Sequence, residues 1–247
     1  MASILLEQTA LSNLKQEIKS DLIDLKSSHI FEALAAAIGF KTYAALKSHM
    51  SKNNLKKVYY LLDESVFTKR LTELGYLDTL PFMFSFEKFC YVDGMISTGG
   101  SYSPVVNCDS KRSRAWRNLM VSAINEALDR DLISLDIKGD DTSIQNEILF
   151  DFSLENALRC RAYIRDVGYG ELSIHVAVNP INNDAIKAFN SGFKAGDVFV
   201  TGWLERSNGA WLQENSSGIS CRNRFLNPIA SLEIKPQGYG GKGKFFM

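Results

Sequence analysis

No pair of cysteines in this chain is close enough to form a CxxC motif. Cys90, Cys108, Cys160 and Cys221 are never nearer than 18 positions apart. That spacing excludes the common zinc and dithiol-redox signatures and leads us to expect reduced, mostly buried thiols in a cytoplasmic protein. No apolar run approaches the roughly 20 residues of a membrane-spanning helix. The opening MASILLEQTALSNLK lacks the basic flank and long apolar stretch of a secretory leader, so no membrane partner is expected. Net charge is absent too: 28 basic residues balance 28 acidic ones, and the total favours no class of partner. The catalytic signatures GxSxG, HExxH, the Walker A loop and GxGxxG before a helix do not occur. The three histidines, His29, His49 and His175, are far apart in sequence. No cofactor and no metal are expected.

What is present is an ordinary globular composition. Of 247 residues, 45% are hydrophobic and 23% charged, enough for a core and suited to one large domain or two small ones. The charge is unevenly spread. Residues 126–155 carry nine acids against Arg130 and Lys138. Lys111, Arg112, Arg114 and Arg117 precede that stretch, and Arg159, Arg161 and Arg165 follow it. A neutral total can therefore hide a basic face that an anionic partner would feel.

Apolar spacing predicts a helix within residues 3–25, through Leu6, Leu11, Leu14, Ile18, Leu22 and Leu25. Ser28 can cap a second helix that ends at Gly39, and Thr42 can begin a third running to about Met50. Residues 55–62 suit a strand, Asp63 or Ser65 begins a helix stopped by Gly75, 82–92 reads as a strand, and 93–104 as loop. Arg112–Arg130 carries an amphipathic stripe from Trp116 to Leu128. Its basic residues crowd the first turns, the unfavourable end of the helix dipole. From about residue 144 the texture is β-rich. ALRCRAYIRDV, ELSIHVAV, DVFVTGWLE, AWLQENS and ASLEIKP are candidate strands, with a short capped helix in NPINNDAIKAFNSGF. The predicted class is α+β: a helical module over 1–52, then a mixed domain over 55–247 with a β-rich, possibly OB-like C-terminal half.

Two segments resemble known families. Placing Gly39 at a turn puts Ala35 four residues before it, with Leu34, Ile38 and Leu46 as core between two helices. On these residues 27–50 resembles a helix-turn-helix. ALAAAIGFKTYAAL is similar to a short module of bacterial accessory proteins often carried on mobile elements. Ala45 and Ser48 stand where the helix-turn-helix pattern has larger apolar residues. The second helix offers Lys41 and Lys47, which suit phosphates better than base edges.

Further on, Lys194, Gly196, Asp197, Val198, Val200, Gly202 and Leu204 resemble a strand of the OB-fold single-stranded-DNA-binding proteins. That resemblance implies aromatic platforms beside a basic groove. The candidates are Tyr163, Tyr169, Phe199, Trp203, Trp211 and Phe225, with Arg161, Arg165, Arg206, Arg222 and Arg224. In the tail, GYGGKGK brings Lys242 and Lys244 among glycines whose backbone can approach an anion. It is similar to the glycine-rich loop of CRISPR repeat-processing endoribonucleases.

LEIK (232–235) and LDIK (135–138) match only the second half of a PD-(D/E)xK nuclease signature. Together these features predict a non-enzymatic accessory protein that binds single-stranded DNA or RNA through phosphate contacts and stacking, as a subunit of a larger complex. Two other classes stay open. One is an adaptor or inhibitor that binds a protein of a defence or replication machine. The other is a metal-independent ribonuclease using His175 or His29.

Overall fold

The computed structural model describes residues 2–52, 58–76, 82–84, 87–97, 108–136, 147–155, 157–206 and 209–241. The chain forms two compact units. Met1–Tyr102 makes the first, joined by Asn208–Ala210 and Gln237–Tyr239; the remainder makes the second. No described helix is long and apolar enough to cross a membrane.

The first unit opens on a strand, where apolar spacing predicts helix. β1 (Ala2–Leu5) lies between β2 (Tyr59–Leu61) and β3 (Met95–Ser97), antiparallel to both. A central strand is covered on both faces, so Ala2, Ser3 and Ile4 are all buried and no period-2 alternation marks them. The helix begins later, as α1 (Gln8–Asp21), with Leu11, Leu14 and Ile18 turned inward. α2 (Ser27–Ala37) starts one residue before Ser28, at an N-cap Lys26 that offers no side-chain cap, so Ser28 does not cap it; α3 (Tyr43–Lys52) follows Thr42 as expected, with Thr42 Oγ1 accepting from Ala45 N–H at 3.1 Å. Their turn is a Schellman motif. Gly39 sits at φ +94, its N–H donates to the Ala36 carbonyl at 2.9 Å, and that of Phe40 to the Ala35 carbonyl at 2.8 Å.

α4 (Glu64–Glu73) is capped by Asp63, whose carboxylate accepts from the N–H groups of Ser65 and Val66. This unit does not stop at residue 52. The helices share one core with Phe67, Phe82, Phe84, Phe89 and Met95.

Of the stretch 82–92, expected as a strand, the described residues 82–84 and 87–92 form none, and Glu87–Tyr91 is a 3-10 turn. α4 takes over backbone donors of the stretch: Phe82 N–H donates to Thr68 Oγ1 at 3.3 Å and Phe84 N–H to Glu64 Oε1 at 2.7 Å. The phenylalanines that look like strand residues are a cluster around Phe67, at ring separations of 5.2 and 5.0 Å for Phe82 and Phe84. β-propensity records fit to a packed apolar surface, and here that surface is not a sheet.

In the second unit, α5 (Lys111–Asp129) starts at a capping box. Ser110 Oγ accepts from Ser113 N–H, and Ser113 Oγ from Ser110 N–H. Five antiparallel strands then pair in chain order: β4 (Ile148–Ser153), β5 (Arg159–Gly168), β6 (Glu171–Val178), β7 (Val198–Glu205) and β8 (Trp211–Cys221). This is a meander, whereas an OB-fold closes through a Greek key. The β7–β8 register shifts between Val200 and Gly202. A Cβ at 202 would sit 2.9 Å from the Gln213 carbonyl oxygen and 3.0 Å from the Trp116 ring. Glycine thus lets α5 lie directly on the sheet, where Trp116 Nε1 donates to the Thr201 carbonyl at 2.9 Å.

The 179–197 connection from β6 to β7 holds α6 (Asn183–Lys187), capped by Asn182, and a 3-10 turn at Gly192–Lys194. α7 (Asn223–Ala230) follows β8. ASLEIKP, expected as a strand, is not one. Its carbonyls accept side chains of α5: Leu232 from Asn118, Ile234 from Arg117 and Lys235 from Asn125.

Candidate functional site

Alternation along the strands divides the second unit's sheet into two faces. Residues in register with Gly202 face α5: Val198, Val200 and Leu204 on β7, Leu172, Ile174, Val176 and Val178 on β6, and Ala162 and Ile164 on β5. All are buried and apolar. The other face is polar and aromatic. Two rows cross it, Tyr163–His175–Thr201 and Arg165–Ser173–Trp203–Gln213. A third row, Glu171–Glu205–Trp211, forms its acidic end.

The 179–197 segment folds over part of this second face. Ile186 and Ala195 pack with Tyr163, Ala177 and Phe199. His175 Nδ1 lies 2.7 Å from the Ile186 carbonyl oxygen, and its ring sits among Tyr163, Phe189 and Phe199 at 5.4, 6.0 and 5.9 Å. Burial pushes the His175 pKa below its ordinary value, and the nearby Arg165 cation adds to the depression. Burial and the hydrogen bond to Glu147 push the Tyr163 phenol up to about 12. Glu171 is raised by burial and by its hydrogen bond to Glu205 directly opposite.

The structure sorts the candidate cations by what already holds them. Arg161 is engaged: it makes a bidentate pair with Asp151, at 2.5 and 2.7 Å, and also donates to Asn183. That pair holds the Asp151 carboxyl below its usual range. Arg206 is not a groove residue. It is 5% exposed, donates to the Ser134 and Gly170 carbonyls and lies 3.5 Å from Asp166. Arg117 anchors the C-terminal segment at the Ile234 carbonyl, and Arg112 donates to the Ile219 carbonyl. These two partly account for the cations at the unfavourable end of α5. Arg222 and Arg224 share Asp197, at 2.9 and 3.1 Å, and remain more than half exposed.

Lys41, Lys47, Lys111, Arg114 and Arg165 are exposed. Lys47 lies over the Tyr43 ring at 5.9 Å. Among the described residues, no hydrogen bond or ion pair engages the side chain of Lys111, Arg114 or Arg165. Lys242 and Lys244 lie outside the described residues.

The aromatics divide in the same way. Trp211, Tyr163 and Phe199 are buried and cannot serve as platforms, because alternate aromatic positions on a covered strand are core. Trp203 is half-buried, Phe225 is half-buried beneath Arg224, and Tyr169 is 95% exposed. Sequence reasoning missed Phe189 and Phe193, both exposed on the 179–197 segment. Phe189 lies 5.8 Å from Trp203 at 34°, and Phe193 lies 5.2 Å beneath the Arg222 guanidinium. Two phenylalanines within four residues, in a segment of turn and cap residues, was the signal available.

In the first unit, α3 buries Leu46 alone among its residues. Tyr43 stacks on Phe31 at 4.6 Å, and its N–H donates to Glu32. His29 and His49 sit 3.1 Å from the hydroxyls of Tyr76 and Tyr60 respectively. No group of three metal-binding side chains gathers among the described residues.

The fold and site define an α+β protein whose helix-backed antiparallel sheet carries a polar, aromatic second face. Searches of protein-family models, curated proteins and solved structures returned no match to this chain.

Proposed function

We propose that the chain binds single-stranded nucleic acid on the second face of the β4–β8 sheet, as an accessory subunit of a nucleoprotein complex. The observations that carry this reading are two ring–cation groups: Phe189 against Trp203, whose strand neighbour Ser173 lies opposite Arg165, and Phe193 beneath Arg222, next in the chain to the exposed Lys194. Exposed rings offer π-faces to bases, and the cations lie within a side chain's reach of where phosphates would run. Lys41, just before α3, and Lys47 on it fit phosphate contacts and carry no base-reading side chain beside them.

The test is fluorescence anisotropy with labelled single-stranded DNA and RNA oligonucleotides across a salt series. Three released counterions give a log–log slope of about −2. Phe189→Ala and Trp203→Ala each weaken binding by about 5- to 150-fold. Absence of binding at low salt overturns the reading. It would favour the adaptor alternative, for which the exposed Ile181, Phe189 and Phe193 form an apolar surface.

A further inference from the structure

Ser173 and His175 are two residues apart on β6 and project from the same face. Ser173 Oγ lies 3.4 Å from His175 Nε2, and His175 Nδ1 lies 2.7 Å from the Ile186 carbonyl oxygen. A carbonyl can only accept, so Nδ1 carries the proton and Nε2 of the neutral ring presents a lone pair to the serine hydroxyl. The three groups form a chain of nucleophile, base and orienting acceptor.

The serine is 6% and the histidine 3% exposed. Ser173's cross-strand neighbours are the exposed Arg165 on β5 and the half-buried Trp203 on β7, against which Phe189 of the 179–197 segment lies at 5.8 Å. Arg165 is close enough to His175 to help depress its pKa. Directly opposite Ser173 on β5, it sits where a cation would meet negative charge developing on a group bonded to Ser173.

We infer that Ser173 is a nucleophile toward phosphoesters, with His175 as its general base and Arg165 as the partner of the phosphoryl oxygens. Ser173 Oγ bonds to phosphorus while its proton passes to His175 Nε2. The bond from phosphorus to the leaving oxygen breaks, and the imidazolium returns the proton to that oxygen. Water then attacks the phosphoserine, giving its proton to His175 Nε2, and Ser173 Oγ leaves and is reprotonated from the same nitrogen. Burial keeps His175 neutral and able to accept a proton at neutral pH. Trp203 beside the serine suits an aromatic or nucleoside substituent on the ester. That substrate class rests on the same reading of the sheet face as a surface for phosphate-bearing, stacking ligands.

The test treats the full chain with a biotinylated fluorophosphonate, whose P–F bond breaks as the Ser173 Oγ–P bond forms, with fluoride leaving. Peptide mapping should place one phosphonyl group on Ser173 and none in Ser173→Ala. His175→Gln should slow labelling by about 100-fold or more, and Arg165→Gln by about tenfold. In the wild type the rate should rise with pH to a plateau, with a midpoint below the ordinary histidine value of about 6.5. A folded wild-type protein left unlabelled at Ser173 overturns the proposal. So does a rate indifferent both to pH and to Arg165→Gln, an exposed position whose change leaves folding intact even if His175→Gln does not. Anisotropy on Ser173→Ala separates this proposal from the previous one. Oligonucleotide binding without wild-type labelling removes the reaction and keeps the binding function. Labelling without oligonucleotide binding keeps the serine chemistry and removes nucleic acid as its substrate.

Discussion

The two faces of the second unit's sheet are built from the same strands, one residue apart, yet they are chemically opposite. The face under α5 is aliphatic from Ala162 to Leu204 and accepts Trp116 across the gap left by Gly202. The other face alternates rings with charge: Tyr163, His175 and Trp203 among Arg161, Arg165, Glu171 and Glu205. A period of two makes this possible, because neighbouring side chains never share an environment. The comparison teaches that the helix-covered face carries stability. The second face holds polar groups at least partly buried, among them His175 on the Ile186 carbonyl, Arg161 on Asp151 and Glu171 on Glu205.

That contrast can be broken from its apolar side first. Trp116→Ala removes a fully buried ring and its bond to Thr201, and should cost about 3–5 kcal/mol in denaturant unfolding. Gly202→Val overpacks the same contact and should cost about 1–3 kcal/mol, with Trp116 fluorescence reporting the shift.

On the second face the effects move from stability to binding and pH. Arg165→Gln should leave the melting temperature unchanged while weakening oligonucleotide affinity and reducing the salt slope by about 0.7. Arg161→Gln should do the reverse, because its guanidinium already holds Asp151 and Asn183. His175 refuses a proton that the unfolded chain accepts below about 6.5. The stability it contributes is therefore present above that value and lost as pH falls through the depressed folded value. His175→Gln should flatten this limb of the pH–stability curve. Glu171 has the opposite sign. Its raised pKa means stability is lost as pH rises through the folded value, so Glu171→Gln should gain about 0.2–1 kcal/mol at neutral pH.

Much of the scaffold was readable before the fold. Asp63 caps α4 as its residue type announces, the short capped helix expected in NPINNDAIKAFNSGF is α6, and Gly39 ends α2 in a left-handed turn, whereas the Ser110 cap of α5 goes unread. The strands β5 to β8 follow their apolar texture. Readings failed where a partner distant in sequence supplied the structure. Residues 2–5 form a strand because Tyr59–Leu61 and Met95–Ser97 pair with them. Phe82 and Phe84 are not in a strand because α4 takes their backbone donors.

The candidate site shows the same division more sharply. Sequence alone placed basic and aromatic residues on the strands at 159–165 and 198–204, and it found His175. Which of them face outward unengaged was decided by tertiary structure. Arg117 finds its acceptor 117 positions away, at Ile234, and Arg206 finds one 72 positions away, at Ser134. Local rules of capping, periodicity and turn chemistry act within a few residues, so the chain itself determines them. An arginine becomes a tether or a ligand contact according to which carbonyl or carboxylate the fold brings beside it, and a single strand's sequence does not encode that.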